Sequence, residues 1–332
     1  MNLQKNILWL ILIASITINC NCKNLSKPTN TQTTGKGGGS LGGIPNLSNT
    51  CYMNSVLQVL KAFYLNKINE KGDNLAKSIK SLMEVIADDK GTANLAAAKA
   101  VFTELKSEFN WLSSVGEQHD AGELLTYLFN WMQMPGAFIE ENWIHPFTNE
   151  ERSGGDTPWN VYEIPITSKK QNLIPIQQLF DSSIAPATKT CKFIADDAVD
   201  TEQKVVKKFK GLDNLYNNIL VLQILRFKTK GGTETANGEK PPFEKYKLDN
   251  KIQNPMNLVI QKDKTVENDK DRNYNLVGFI NHIGGAENGH YISYVKKGAQ
   301  WVCYNDSIVS TISDVEAEKS AMDSYILFYK AS

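Results

Sequence analysis

The sequence predicts an α+β fold, with helices gathered early in the chain and antiparallel strands late. Three observations carry this reading. From Cys51 to Tyr64, apolar Met53, Val56, Leu57, Leu60, Phe63 and Tyr64 recur at three- and four-residue steps, the period of one helix face. Asn218–Phe227 (NILVLQILRF) and Tyr274–His282 (YNLVGFINH) are rich in β-branched and aromatic residues, as strands are. Helical and strand patterns do not alternate along the 332 residues, and no internal repeat occurs, which argues against a parallel α/β sheet.

In chain order, residues 1–22 (MNLQKNILWLILIASITINCNC) open with Lys5 and continue into an apolar run from Ile7 to Ile18. As a helix that run would rise about 18 Å, too short for a hydrocarbon core of about 30 Å, so it reads as a signal peptide. Cys20 or Cys22 is a candidate for lipid attachment, although Asn19 is bulky where a lipobox wants a small residue. Residues 23–40 hold almost nothing apolar and read as a flexible tether, leaving 41–332 as the globular domain. After the first helix, further helices are expected over Ala93–Leu112 and Gln118–Met134, and surface loops over Lys228–Lys240 and Gln261–Arg272. Phe279–Ser310 reads as strand, glycine-rich loop, strand, turn, strand, with Gly284, Gly285 and Gly289 letting the backbone approach another segment closely.

Composition narrows the function. Apolar residues make up 41% of the chain, a soluble globular share, and 36 basic residues balance 36 acidic ones. Capture of nucleic acid or of an anionic membrane by a strong field is therefore excluded. A specific protein or small-molecule partner is expected instead.

The five cysteines, Cys20, Cys22, Cys51, Cys191 and Cys303, do not form a disulfide framework, because three widely spaced ones remain once the processed end is set aside. No CxxC pair occurs in the globular part, and His119, His145, His282 and His290 lack paired ligand spacing, so no metal is expected. Cys191 and Cys303 read as packing residues. Cys51 stands apart because Asn46, Ser48, Asn49 and Thr50 precede it and the helical pattern begins immediately after. A thiol on the first turn faces free N–H groups and the positive dipole end, which predicts a thiolate and a nucleophile.

A second group of chemical residues lies near the carboxyl end. If Lys296–Gln300 closes a hairpin, Val295 faces Trp301, Tyr291 lies opposite Asn305, and His290 lies opposite Asp306. The register leaves open whether Asn305 or Asp306 touches the imidazole. Cysteine, histidine and a third, orienting residue form the constellation of a cysteine hydrolase.

Three blocks of the sequence resemble the ubiquitin-specific proteases. GGIPNLSNTCYMNSVLQVL (Gly42–Leu60) is similar to the family's Cys box, QHDAGELLTYLF (Gln118–Phe129) to its QQDAxEFL block, and NHIGGAENGHYISYVKKGAQWVCYNDS (Asn281–Ser307) to its His box. The resemblance runs from about Gly42 to Leu327 with the blocks in family order. It implies a papain-like fold with a helical thumb, an antiparallel β palm and reduced fingers. It also implies Cys51 as nucleophile, His290 as general base, Asn305 as its orienting residue, Asp306 as a supporting acid and Asn46 as an oxyanion-hole donor. The implied activity is thiol-dependent hydrolysis of the isopeptide bond at the carboxyl-terminal glycine of ubiquitin, so the partners are ubiquitin and ubiquitinated proteins. Gln118, Asp120, Glu123, Gly289, Tyr291 and Trp301 are the candidate ubiquitin-binding residues, the two acids because ubiquitin's tail carries arginines.

Two departures from the family pattern are notable: Ser48 stands where a glycine is usual, and Ile283 where a small residue is usual. Where many members carry the first zinc CxxC pair, only Cys191 remains, so zinc is expected absent and the enzyme needs no cofactor. The alternatives are a catalytically inactive ubiquitin-binding module and a cysteine peptidase for a ubiquitin-like modifier. With the export signal, the whole reading is a monomeric enzyme, secreted or lipid-tethered, that acts on host ubiquitin and not on nucleic acid.

Overall fold

The computed structural model describes residues 42–87, 91–112, 114–166, 171–192, 200–231 and 243–332. The signal peptide, the tether and residues 232–240 of the first polar stretch lie outside them. The helical part comprises α1 (Cys51–Phe63), α2 (Leu65–Asn69), α3 (Asn74–Ala87), α4 (Gly91–Glu108) and α5 (Ala121–Trp131). Then follow β1 (Ala137–Ile144), β2 (Glu151–Trp159), β3 (Tyr162–Pro165), β4 (Leu173–Pro175), α6 (Ile176–Ser183), β5 (Ala187–Cys191), β6 (Thr201–Lys210), β7 (Ile219–Leu225), β8 (Phe227–Lys230) and β9 (Glu244–Lys247). The chain closes with β10 (Lys251–Gln253), β11 (Asn257–Ile260), β12 (Arg272–Gly284), β13 (Gly289–Lys297), β14 (Gln300–Asn305), β15 (Ile308–Ile312), α7 (Asp314–Ala321) and β16 (Ser324–Ala331). This is the α+β order that the sequence predicts.

The largest sheet runs β15-β14-β13-β12-β16-β7-β3, with β11 paired to β12. Its two faces are separated by the two-residue period of a strand. On β7 and β16, Ile219, Val221, Ile326 and Phe328 join the core shared with the helices. Their neighbours Leu220, Leu222, Leu327 and Tyr329 join the core on the other face. Helix α1 is buried from Cys51 through Leu60, polar residues included. Two of those polar side chains donate to the segment that crosses over them, Gln58 Nε2 to Gly42 O at 3.1 Å and Asn54 Nδ2 to Ile44 O at 3.1 Å.

A second, four-stranded sheet runs β2-β1-β6-β5 and corresponds to the expected fingers. Its inner side is held by aromatic packing, with the rings of Phe180 and Phe209 stacked 5.2 Å apart. Ion pairs such as Lys210–Asp156 at 2.7 Å decorate its surface, where each adds little.

Two local expectations need correction. The turn after β13 is shorter than Lys296–Gln300: Lys297 pairs with Gln300, leaving only Gly298 and Ala299 as the loop. Gly298 supplies the left-handed φ of 59° that such a tight loop needs. The register therefore shifts by one, to Val295 opposite Val302 and Lys296 opposite Trp301. The stretch Gln261–Arg272 is also not wholly surface, because Thr265 is buried and bridges to Phe209.

Candidate active site

Three segments meet at the amino-terminal end of α1. The first is the turn before it. Asn46 Oδ1 accepts the N–H groups of Ser48 and Thr50, each at 3.1 Å, which folds residues 46–50 into a tight loop ahead of Cys51. Within that loop Ser48 has φ 119°, a conformation that favours glycine.

The second segment is the β14–β15 hairpin. Asn305 lies opposite Ile308, so Asp306 and Ser307 form the turn, with Asp306 at φ 53°. That left-handed turn brings the Asp306 carboxylate among three neighbours. Asn46 Nδ2 donates to Oδ2 at 2.9 Å, Asn54 Nδ2 donates to Oδ1 at 2.7 Å, and His290 Nε2 lies 3.8 Å from Oδ2. Its backbone carbonyl also accepts Ile44 N–H at 2.9 Å. Asp306 thus ties the strand hairpin to both the loop before α1 and the first turn of α1.

The third segment is the start of β13. His290 Nε2 is 2.6 Å from Asn305 Oδ1. An amide oxygen only accepts, so Nε2 carries the proton and the Nδ1 lone pair is left free for another donor. The choice that the sequence left open is settled by distance: Asn305 touches the imidazole and Asp306 stands behind it.

The Cys51 thiol faces the N–H groups of Tyr291, Tyr52 and Cys51 itself. The helix-end donors expected from the sequence are therefore present. The expected thiolate is not, because burial outweighs them and Asp306 repels negative charge, pushing the thiol up to about 11. Cys51 is 4% exposed, so its resting form is the thiol.

A cavity of about 300 Å³ adjoins this end of β13, lined by Gln118, Asp120, Phe227, His282, Ala286 and Tyr291 among others. Asp120 caps α5 through Glu123 N–H at 2.9 Å and also accepts Tyr325 Oη at 2.7 Å and Tyr291 Oη at 3.3 Å. Gln118 Nε2 donates to Gly289 O at 3.1 Å, linking the approach to α5 with β13. Gly289 sits against the His282 ring, where a Cβ would fall 2.0 Å from Nε2. Burial first, then the charges of Lys247 and His290, push His282 down to about 3, and the ring is neutral. Glu123 lies exposed on α5, its carboxyl raised by desolvation and by Asp120, with Lys245 opposing.

The structure thus gathers Cys51, His290, Asn305, Asp306 and Asn46 at one place, with Gln118, Asp120, Gly289 and Tyr291 at the adjoining cavity. It does not bring Trp301 there. Trp301 is fully buried in the palm core, packs on Phe279 at 5.6 Å and donates Nε1–H to Asp314 at 3.0 Å, so it has no surface to offer a partner. Sequence reasoning missed Asn54. Its signal was an amide side chain three residues after Cys51, one helical turn along the same face. Among the described residues, no three His, Cys, Asp or Glu side chains are grouped to hold a metal ion.

Residues 42–329 match the ubiquitin carboxyl-terminal hydrolase family model, and the chain belongs to that family. It is 25% identical to ubiquitin carboxyl-terminal hydrolase 12 of Salmo salar, covering 87% of this chain and 89% of that one. With ubiquitin carboxyl-terminal hydrolase 4 of Arabidopsis thaliana it shares 24% identity, over 87% and 93% of the two chains. In structure it is similar to the SAGA DUB module Ubp8, Sgf11, Sus1 and Sgf73 bound to monoubiquitin, with a TM-score of 0.69 and 20% identity over 89% of this chain and 70% of that one. The same module bound to ubiquitin aldehyde gives a TM-score of 0.68 at 21% identity, again over 89% and 70%. These neighbours show the fold to be that of the ubiquitin-specific proteases.

Proposed function

We propose that the chain is a cysteine-type deubiquitinase in which Cys51 attacks the carbonyl carbon of ubiquitin's terminal glycine. The observation that carries this reading is the 2.6 Å bond between His290 and Asn305, beside a thiol that receives the N–H of the next residue, Tyr291. Because the resting cysteine is a thiol, the first step is proton transfer from sulfur to the free Nδ1 of His290 as the C–S bond forms. The oxyanion takes hydrogen bonds from the Cys51 N–H and from the Asn46 amide, which keeps a second N–H beyond the one given to Asp306. The C–N bond then breaks, the imidazolium gives its proton to the departing lysine amine, and a thioester remains. Water, deprotonated by His290, hydrolyses the thioester and regenerates the thiol.

The cavity beside Gly289 receives the carboxyl-terminal tail of ubiquitin, and Gln118, Asp120, Gly289 and Tyr291 shape it. Asp120 acts there chiefly by fixing the rings of Tyr291 and Tyr325, since three internal donors already occupy its carboxylate. Exposed Glu123 remains the acid placed for a tail arginine. The neighbours bound to monoubiquitin and ubiquitin aldehyde support ubiquitin as the partner. Release of the amine from isopeptide-linked ubiquitin, abolished by Cys51→Ala and retained without added metal, is the expected result. Tight binding of ubiquitin without turnover would favour a pure binding module.

We also propose export through residues 1–22, a tether over 23–40, and action as a monomer on host ubiquitin. The short apolar run of Ile7–Ile18 and the polar composition of the next segment support this. Mass spectrometry of the mature amino terminus tests it, and an intact residue 1 in the producing cell's cytosol would overturn it.

A further inference from the structure

We propose that Lys247 is a positioning residue that fixes the end of the β12–β13 hairpin, and with it the His290 ring and the Tyr291 N–H, against Cys51. This rests on the deubiquitinase reading above and adds to the site a residue outside its three sequence blocks. Rungs of an antiparallel ladder alternate between pairs that exchange hydrogen bonds and pairs whose backbone groups face outward. Tyr291 turns its N–H to Cys51 and Gly289 its carbonyl to Gln118, so the His282–Tyr291 and Gly284–Gly289 rungs are of the outward kind. The carbonyls of His282 and Gly284 therefore leave the hairpin on the edge away from β13. Strand β16 covers that edge only as far as Ser324, opposite Asn281. Beyond it the Lys247 ammonium takes the strand's place: Nζ donates to His282 O at 2.5 Å and to Gly284 O at 3.1 Å. The rung between these two carries His290, opposite Ile283. One side chain thus holds the rungs on both sides of the general base.

The clamp is itself anchored. On β9, Lys247 lies opposite Phe227, whose ring meets His282 edge-on at 4.9 Å and Tyr325 at 5.3 Å. The next residue, Leu248, gives its N–H to Arg226 O at 2.9 Å and takes Arg226 Nη1 on its carbonyl at 3.0 Å. Buried Arg226 also donates Nε–H to Ser324 O at 2.8 Å, at the point where β16 begins. Lys247 therefore connects the hairpin end to a backbone that is held by the palm. Hydrogen bonds from a charged donor are the strong ones, and a reacting group displaced by about 1 Å loses on the order of 10²-fold in rate. Removing the ammonium frees the hairpin end and so affects the step that His290 performs.

The test compares the whole chain as wild type, Lys247→Met, which keeps an apolar stem and removes the donors, and Lys247→Arg, which supplies donors again. On isopeptide-linked ubiquitin, Lys247→Met should lower kcat about tenfold with KM changed by less than about twofold, and Lys247→Arg should regain most of the loss. Amide hydrogen exchange over residues 282–291 should quicken in Lys247→Met while exchange in α1 and in β7 stays as in the wild type. Should Lys247→Met not fold, Lys247→Gln takes its place, its shorter side chain keeping a polar head. A kcat equal to that of the wild type, or exchange that quickens equally through the whole sheet, overturns the positioning role and leaves the deubiquitinase reading intact. A wild type that hydrolyses no isopeptide overturns that reading and the role given to Lys247 with it.

Discussion

His290 Nε2 lies 2.6 Å from Asn305 Oδ1, a contact that joins β13 to the end of β14 and fixes which ring nitrogen carries the proton. The ladder between these strands runs only as far as Ser293 opposite Tyr304, so the bond links them beyond their regular pairing. Replacing Asn305 by Ala should lower kcat by about 10²-fold while KM changes less, because the base loses its orientation rather than the substrate its site. Steady-state hydrolysis of a ubiquitin substrate checks this. An equal loss confined to KM would contradict it.

Asp306 joins Asn46, Asn54 and the Ile44 backbone, and its carboxylate is largely buried. Asp306→Ala leaves the Asn54 amide with one acceptor fewer and frees Asn46. The expected cost is about 1–3 kcal/mol in stability, read as a lower denaturation midpoint, together with slower turnover from a mobile Asn46.

Ser48 at φ 119° occupies a backbone region natural to glycine. Ser48→Gly should therefore stabilise the protein by about 1 kcal/mol, the strain relieved exceeding the entropy that glycine adds to the unfolded chain. A rise in Tm is the readout, and a fall would show that the loop is not strained there.

The Cys51 thiol, pushed up to about 11, predicts alkaline reactivity. Alkylation of Cys51 by a small thiol reagent should climb with pH from 7 through 10 without an early plateau. A plateau near neutrality would signal a thiolate already paired with His290.

His282 is pushed down to about 3, so the folded state holds the ring neutral while the unfolded chain protonates it near its ordinary value of 6.5. A depressed histidine contributes stability that is present above 6.5 and is lost as pH falls toward 3. His282→Leu should accordingly lose less Tm than the wild type between pH 7 and pH 4.

The helical half was legible where periodicity was strong. Helix α1 begins at Cys51, as the cap-rich run before it indicated. Helix α5 begins at Ala121 rather than Gln118, because Asp120 caps it. Helix α3 carries Leu75, Ile79, Leu82 and Ile86 at helical steps and was still overlooked, its polar neighbours diluting the pattern. The site residues could be read as blocks, but their mutual order could not. A one-residue error in a turn exchanges the faces of a strand, and only the two-residue loop at Gly298 fixes the register. The Cys51 thiol was misjudged for a different reason: the helix end is visible in sequence, whereas the burial that outweighs it comes from tertiary packing. Trp301 was drawn into the site by its neighbours in the motif, although it lies buried in the palm core four residues before Asn305.

The decisive measurement is covalent capture with ubiquitin carrying a thiol-reactive electrophile at its carboxyl terminus. Intact mass and peptide mapping should show one adduct, on Cys51, absent in Cys51→Ala and formed much more slowly in His290→Ala. An adduct on Cys191 or Cys303, or tight binding of the probe with no adduct at all, would contradict the assignment of Cys51 as nucleophile.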